Sequence, residues 1–186
     1  GGGDYTVGRV SGSVKILSHS GEIRVLSAGA GADLKTLGGD IKIDSVTGSL
    51  RAHTGAGDIR AGMISGALFA ETAGGDIRAE KVLGAADART AGGDIVLLSV
   101  GGSLKAQTAG GSVRVALISP YVKGGVAIRN AGGDVSLTLP SDFRGDLEMI
   151  VTGSPDFDER LVRSDFPELS VTRRHDGVYA SGTLNG

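Results

Sequence analysis

The chain has 186 residues, of which 33 are Gly, 4% are aromatic and none is Cys or Trp, and its formal net charge is −2. The absence of Cys excludes disulfides, Cys-ligated zinc and thiol nucleophiles, and Lys and Arg are spread too evenly for a basic nucleic-acid stripe or a polybasic membrane patch. No apolar run approaches the ~18 residues of a spanning helix, and with so few aromatics the core must be built from Ile, Val, Leu and Ala.

The chain opens with Gly1-Gly2-Gly3 in place of Met, which reads as a trimmed start with any leader or anchor lying outside it. No signal peptide is visible. A Gly followed by a short polar and then an apolar residue recurs at Gly21, Gly39, Gly57, Gly75, Gly93 and Gly111, each 18 residues apart. A second series at Gly48, Gly66, Gly84 and Gly102, with Gly12 earlier, splits the 18 into two units of nine. Each unit reads Gly, any, apolar, any, apolar, any, any, apolar, any. In one half the apolar positions are, for example, Ile59, Ala61 and Ile64, and later Val113, Val115 and Ile118. In the other half they are Leu68 and Ala70 followed by Ala73, with Ala91, Ala109 and Ala131 as the later equivalents.

Apolar pairs at i and i+2 put both side chains on one face of a strand. No window sustains the i, i+3, i+4, i+7 pattern of a helix. Between Ala28 and Gly39 one half-unit reads as longer and the next as shorter, so distorted corners are expected there. The match at Gly133-Asp134-Val135 comes 22 residues after Gly111, which places a four-residue insertion at Pro120-Tyr121-Val122-Lys123. The fold expected is therefore all-β: a single-stranded parallel β-helix, a solenoid of about 18 residues per coil. Six or seven coils are expected over residues 1–138. Left-handed β-helices divide the coil in three, so the two-part repeat predicts a right-handed one.

Residues 139–186 are expected to form a C-terminal cap within the same domain. Phe143, Phe157 and Phe166 concentrate there and suit a plug over the last coil. The runs 169–174 and 178–184 flank His175-Asp176-Gly177, a hairpin signal. Residues 181–186 read as a repeat cut in its middle, with a further strand expected after it.

The repeat stacks like on like. Glu22, Asp40, Asp58, Asp76, Asp94 and Asp134 form an acidic edge beside the basic column Arg24, Lys42, Arg60 and Arg78, so the charges compensate along the rod. Val96 interrupts the basic column, and Ser112 the acidic one. Calcium β-rolls also use nine-residue units, but they carry G-G-x-G-x-D-x-U-x. Here the Asp follows Gly-Gly directly, and one carboxylate per coil is a poor supply for a cation needing ~6–8 oxygens. Thr54, Thr72, Thr90 and Thr108 read as a hydroxyl ladder at a corner. His53 falls on an outward column with Glu71, Arg89 and Gln107, His19 at one end of the rod, and His175 in the hairpin turn. No metalloprotease, P-loop or nucleophile-elbow motif occurs. Asp87 with Arg89, or Glu71 with Phe69, are the residues that would form part of a sugar-binding face. No catalytic, cofactor-binding or metal-binding residue is assigned, no cofactor is implied, and no enzyme is expected.

The Gly75-Asp76-Ile77 and Gly102-Ser103-Leu104 repeats, the Leu139-Pro140-Ser141-Asp142-Phe143 step and the terminal Gly182-Thr183-Leu184-Asn185-Gly186 resemble a bacterial adhesin-type family of β-strand-repeat domains of unknown function. The resemblance implies a right-handed parallel β-helix on the cell-envelope side of bacteria, with no assigned catalysis. The expectation is an extracytoplasmic binding or structural module whose partner is an envelope glycan or another surface protein. No nucleic acid partner and no membrane insertion of this segment are expected. Bactofilin-like filament scaffolds share a similar coil length, so self-association is the alternative, and a polysaccharide-active β-helix enzyme is the third reading.

Overall fold

The computed structural model describes residues 2–152 and 169–184. The alternating apolar residues form strands, two to a coil, and the described residues contain no helix. The first four coils are β1 (Tyr5–Val10) with β2 (Ser13–Leu17), β3 (Ile23–Ala28) with β4 (Gly31–Lys35), β5 (Ile41–Val46) with β6 (Leu50–His53), and β7 (Ile59–Ile64) with β8 (Leu68–Glu71). The next four are β9 (Ile77–Val82) with β10 (Ala86–Arg89), β11 (Ile95–Val100) with β12 (Leu104–Thr108), β13 (Val113–Leu117) with β14 (Val126–Asn130), and β15 (Val135–Thr138) with β16 (Gly145–Thr152). A hairpin of β17 (Ser170–Arg174) and β18 (Gly177–Leu184) follows.

The odd strands β1 to β15 stack into an eight-stranded parallel sheet, and the even strands β2 to β16 form the parallel part of a ten-stranded one. The chain is thus a parallel β-solenoid of eight coils, about 18 residues each. At ~4.8 Å per strand the stack is ~35 Å long. The expectation of six or seven coils left out Gly2-Gly3-Asp4, whose Gly3 stands 18 residues before Gly21 and opens the first coil. Parallel pairing continues past residue 138, since β16 pairs in parallel with β14.

The core is a set of ladders between the sheets. Ile23, Ile41, Ile59, Ile77 and Ile95 lie in register and are all but fully buried. β-branched residues fill such a double-faced ladder well. Opposite them, Ala52, Ala70, Ala88 and Ala106 let the sheets approach.

Three details differ from the sequence expectation. The third inward residue of the even half-coils is the Thr, not the Ala after it: Thr72, Thr90 and Thr108 are buried while Ala73, Ala91, Ala109 and Ala131 are exposed. The chain keeps strand alternation through Leu68, Ala70 and Thr72 before it bends, so the side chain two residues on points inward. Secondly, Ile118 is 48% exposed and Leu117 is the buried residue. The register slips between β11 and β13, because β13 ends one residue early to leave for the insertion. Thirdly, the corner near residue 30 is regular: Ala28 pairs with Val46 and Ala32 with Leu50, both at the usual interval. Ala30 simply stands where later coils carry Gly.

At the C-terminal end β18 runs antiparallel to β16 and β17 antiparallel to β18, with His175 and Asp176 at the turn, as Asp-Gly signalled. The Tyr179 hydroxyl donates to Asp176 Oδ2 at 2.9 Å. That bond holds the Asp176 carboxyl below its usual range and raises the Tyr179 phenol. Phe143 is fully buried in the core with Val122, Leu147 and Leu184. Phe157 and Phe166 lie outside the described residues.

Candidate functional site

Two surfaces repeat along the rod and could carry chemistry: the acidic edge and the outer face of the ten-stranded sheet. At the acidic edge the buried Thr hydroxyls tie successive coils together. Thr72 Oγ1 donates to the carbonyl of Gly57 in the preceding coil (2.9 Å) and accepts the N–H of Gly75 in its own corner (3.3 Å). Thr54, Thr90 and Thr108 make the same two bonds. At the lengthened coil Asn130 takes this place and satisfies its own corner instead, donating to Gly133 O and accepting from Gly132 N–H. Thr72→Val keeps the shape and removes the hydroxyl, leaving a buried carbonyl and amide unpaired. It is expected to cost about 1–3 kcal/mol in chemical denaturation, while the exposed neighbour Ala73→Ser changes stability by less than ~0.5 kcal/mol.

The Asp column forms a second ladder. Asp40 Oδ1 accepts the N–H of Asp58 (3.0 Å), Asp58 that of Asp76 (2.9 Å), Asp76 that of Asp94 (2.8 Å) and Asp94 that of Ser112 (2.7 Å). Asp4 does the same for Glu22, and the Ser112 hydroxyl for Asp134. Ser112 therefore drops the charge and keeps the acceptor. The second carboxylate oxygens meet cations: Arg60 reaches Asp58 at 2.7 Å and Asp40 at 3.5 Å, and Lys42 reaches Asp40 at 3.6 Å. Arg24 and Arg78 make no ion pair among the described residues. Among the described residues no three His, Cys, Asp or Glu side chains are grouped to hold a metal ion.

The outer face of the ten-stranded sheet is different, because its side chains do not serve the corners. The register aligns Lys15, Asp33, Arg51, Phe69, Asp87 and Lys105 in one column. Beside it run Lys35, His53, Glu71, Arg89 and Gln107. Between the columns lies a groove of about 430 Å³ across β4 to β10. Hollows of about 390 Å³ toward β2 and about 270 Å³ toward β16 continue it along the rod. Phe69, 43% exposed, sits at the centre of the face. The Arg51 guanidinium lies 5.5 Å from its ring centroid, within cation–π reach. Arg89 pairs with Asp87 Oδ2 at 2.9 Å, and His53 Nδ1 lies 3.5 Å from Glu71 Oε2. Asp87 Oδ1 is buried and has no hydrogen-bond partner among the described residues.

The sequence offered Asp87 with Arg89, or Glu71 with Phe69, as part of a sugar-binding face, and the fold brings all four together with His53 on its outward column. It did not mark Lys35, Arg51 or Asp33, although reading 18 residues back from Phe69 finds Arg51, from Arg51 finds Asp33 and from His53 finds Lys35. His19 is exposed near the first coils and His175 lies in the hairpin turn, apart from this face.

No curated protein and no solved structure matches the chain. Residues 1–87, the coils from β1 into β10, match the protein family described as Toastrack DUF4097, and it is to this β-solenoid repeat family of unknown function that the groove-bearing part of the rod is similar.

Proposed function

We propose that the chain is a non-enzymatic binding rod of the bacterial cell envelope, working outside the cytoplasm, and that the outer face of the ten-stranded sheet is its binding platform. The observation that carries this reading is the groove itself. An aromatic ring and an arginine stand exposed at its centre, on a sheet too regular to deform. Ligand sites combine an apolar contact with a few fixed polar groups, and rigid strands hold both without an ordering cost. Asp87 is ion-paired to Arg89 and Glu71 adjoins His53, so both carboxylates are held by neighbours on the face.

The test is cosedimentation with isolated bacterial envelope material. The protein is expected to pellet saturably, and a Phe69→Ala, Arg51→Ala double variant to stay in solution with an unchanged melting temperature. Light scattering across concentration should show a constant mass. Mass that grows with concentration, together with no saturable cosedimentation, overturns the binding reading in favour of a self-assembling scaffold.

A further inference from the structure

We infer that the ligand of this groove is a linear acidic polysaccharide, its chain lying along the rod axis across β2 to β12. The inference rests on the binding reading above and names the ligand class.

The direction comes from the register. The columns run perpendicular to the strands with one outward residue per strand every ~4.8 Å, close to the length of one pyranose in an extended glycan. A sugar polymer therefore meets a new side chain at each unit. Phe69 gives the apolar C–H face of one pyranose a flat ring to stack on.

Charge selects the polymer. The face's own carboxylates are in part engaged, Asp87 by Arg89, Glu71 by His53 and Glu148 by Arg129. Lys15, Lys35, Lys105 and Arg51 make no ion pair among the described residues, and Arg51 lies over the Phe69 ring. These four cations are strung along the groove on β2, β4, β12 and β6, an arrangement that suits carboxylates carried at intervals on a chain. Arg51 presents the planar fork that binds a carboxylate with two hydrogen bonds. Asp87 Oδ1 is the second, independent observation. Asp87 lines both the central groove and the hollow toward β16, and its buried Oδ1 lacks a donor among the described residues. A buried acceptor left unpaired calls for a partner, and a small turn of the Asp87 carboxylate toward the groove would present it to a sugar hydroxyl beside Phe69.

Other polymers fit less well. A single exposed aromatic on this face is a poor base-stacking platform for nucleic acid. A peptide cannot add as a strand here, because β4 to β12 are hydrogen-bonded on both sides.

The test is calorimetry of the whole chain with oligogalacturonate, with a neutral oligosaccharide of equal length and with polyglutamate, at low and high salt. Oligogalacturonate is expected to bind and to weaken as salt rises. Phe69→Ala and Arg51→Ala should each lose about tenfold in affinity, and Arg114→Ala on the opposite sheet should lose none. Equal binding of the neutral oligosaccharide, or of polyglutamate, overturns the acidic-glycan assignment. So does oligogalacturonate binding that survives both groove substitutions. If no glycan binds while cosedimentation still depends on Phe69, the ligand is a protein and the platform reading stands. If cosedimentation fails as well, both fall.

Discussion

Gly75→Ala is expected to destabilise the rod by about 3 kcal/mol, while Gly74→Ala one residue away costs almost nothing. A Cβ on Gly75 would overlap the carbonyl oxygen of Gly57 in the coil below, with Asp58 Oδ1 only 2.7 Å away. That carbonyl cannot retreat, because Thr72 holds it. The backbone of Gly75 is not in the left-handed region, unlike Gly21 (φ 99°) and Gly133 (φ 68°), so the cost is close approach and not backbone strain. A Cβ on Gly74 would meet nothing nearer than Ala56 O at 3.5 Å, and Ala56 itself fills the matching position one coil earlier. For a domain of this size the Gly75 change corresponds to a fall of roughly 10 °C in melting temperature. Equal melting temperatures for the two variants would contradict the corner described here.

Phe143→Ala should cost about 3–5 kcal/mol, the largest loss expected from a side-chain truncation in this chain. Phe143 heads the fully buried side chains by size. Its ring lies against Gly145, where an added Cβ would sit 3.3 Å from Cζ. No other described coil buries so large a side chain, so the void cannot be filled by repacking Val and Ala neighbours. Coils in a solenoid interact mainly with their neighbours. Amide hydrogen exchange should therefore quicken across β15 to β18 and stay unchanged in β1 to β6. Phe143→Leu, which refills part of the space, should recover much of the loss. Uniform loosening along the whole rod would show that Phe143 does not act as a local plug.

The fold was legible because its physics is periodic. Ile59, Ile77 and Ile95 announce a ladder by spacing alone, and His175-Asp176-Gly177 announces a hairpin by turn chemistry. The Thr ladder was read as a corner, yet its inward direction was missed. Burial of Thr72 in place of Ala73 is decided by hydrogen bonds to Gly57 and Gly75, and the first of these partners is 15 residues away in the preceding coil. Leu117 replaced Ile118 for a similar reason: an insertion moves the exit point of β13, and an apolar pattern tolerates either residue. The face around Phe69 was half legible. Asp87 and Arg89 were visible as a pair two residues apart on one strand. Arg51 joins them only through pairing between strands, which a linear pattern reports one coil at a time. The orphaned Asp87 Oδ1 is a matter of packing beside Phe69, and no sequence pattern encodes it.

The corners close by themselves: Asp Oδ1 atoms accept backbone N–H groups, Arg60 and Lys42 meet Oδ2 atoms, and Thr hydroxyls bridge the coils. Calcium titration by calorimetry, with thermal melting in calcium and in chelator, tests this most directly. The expected result is no heat of binding and one melting temperature in both solutions. Stoichiometric binding with a large rise in melting temperature would mean that the Asp column needs a cation to hold the coils together, and would contradict it.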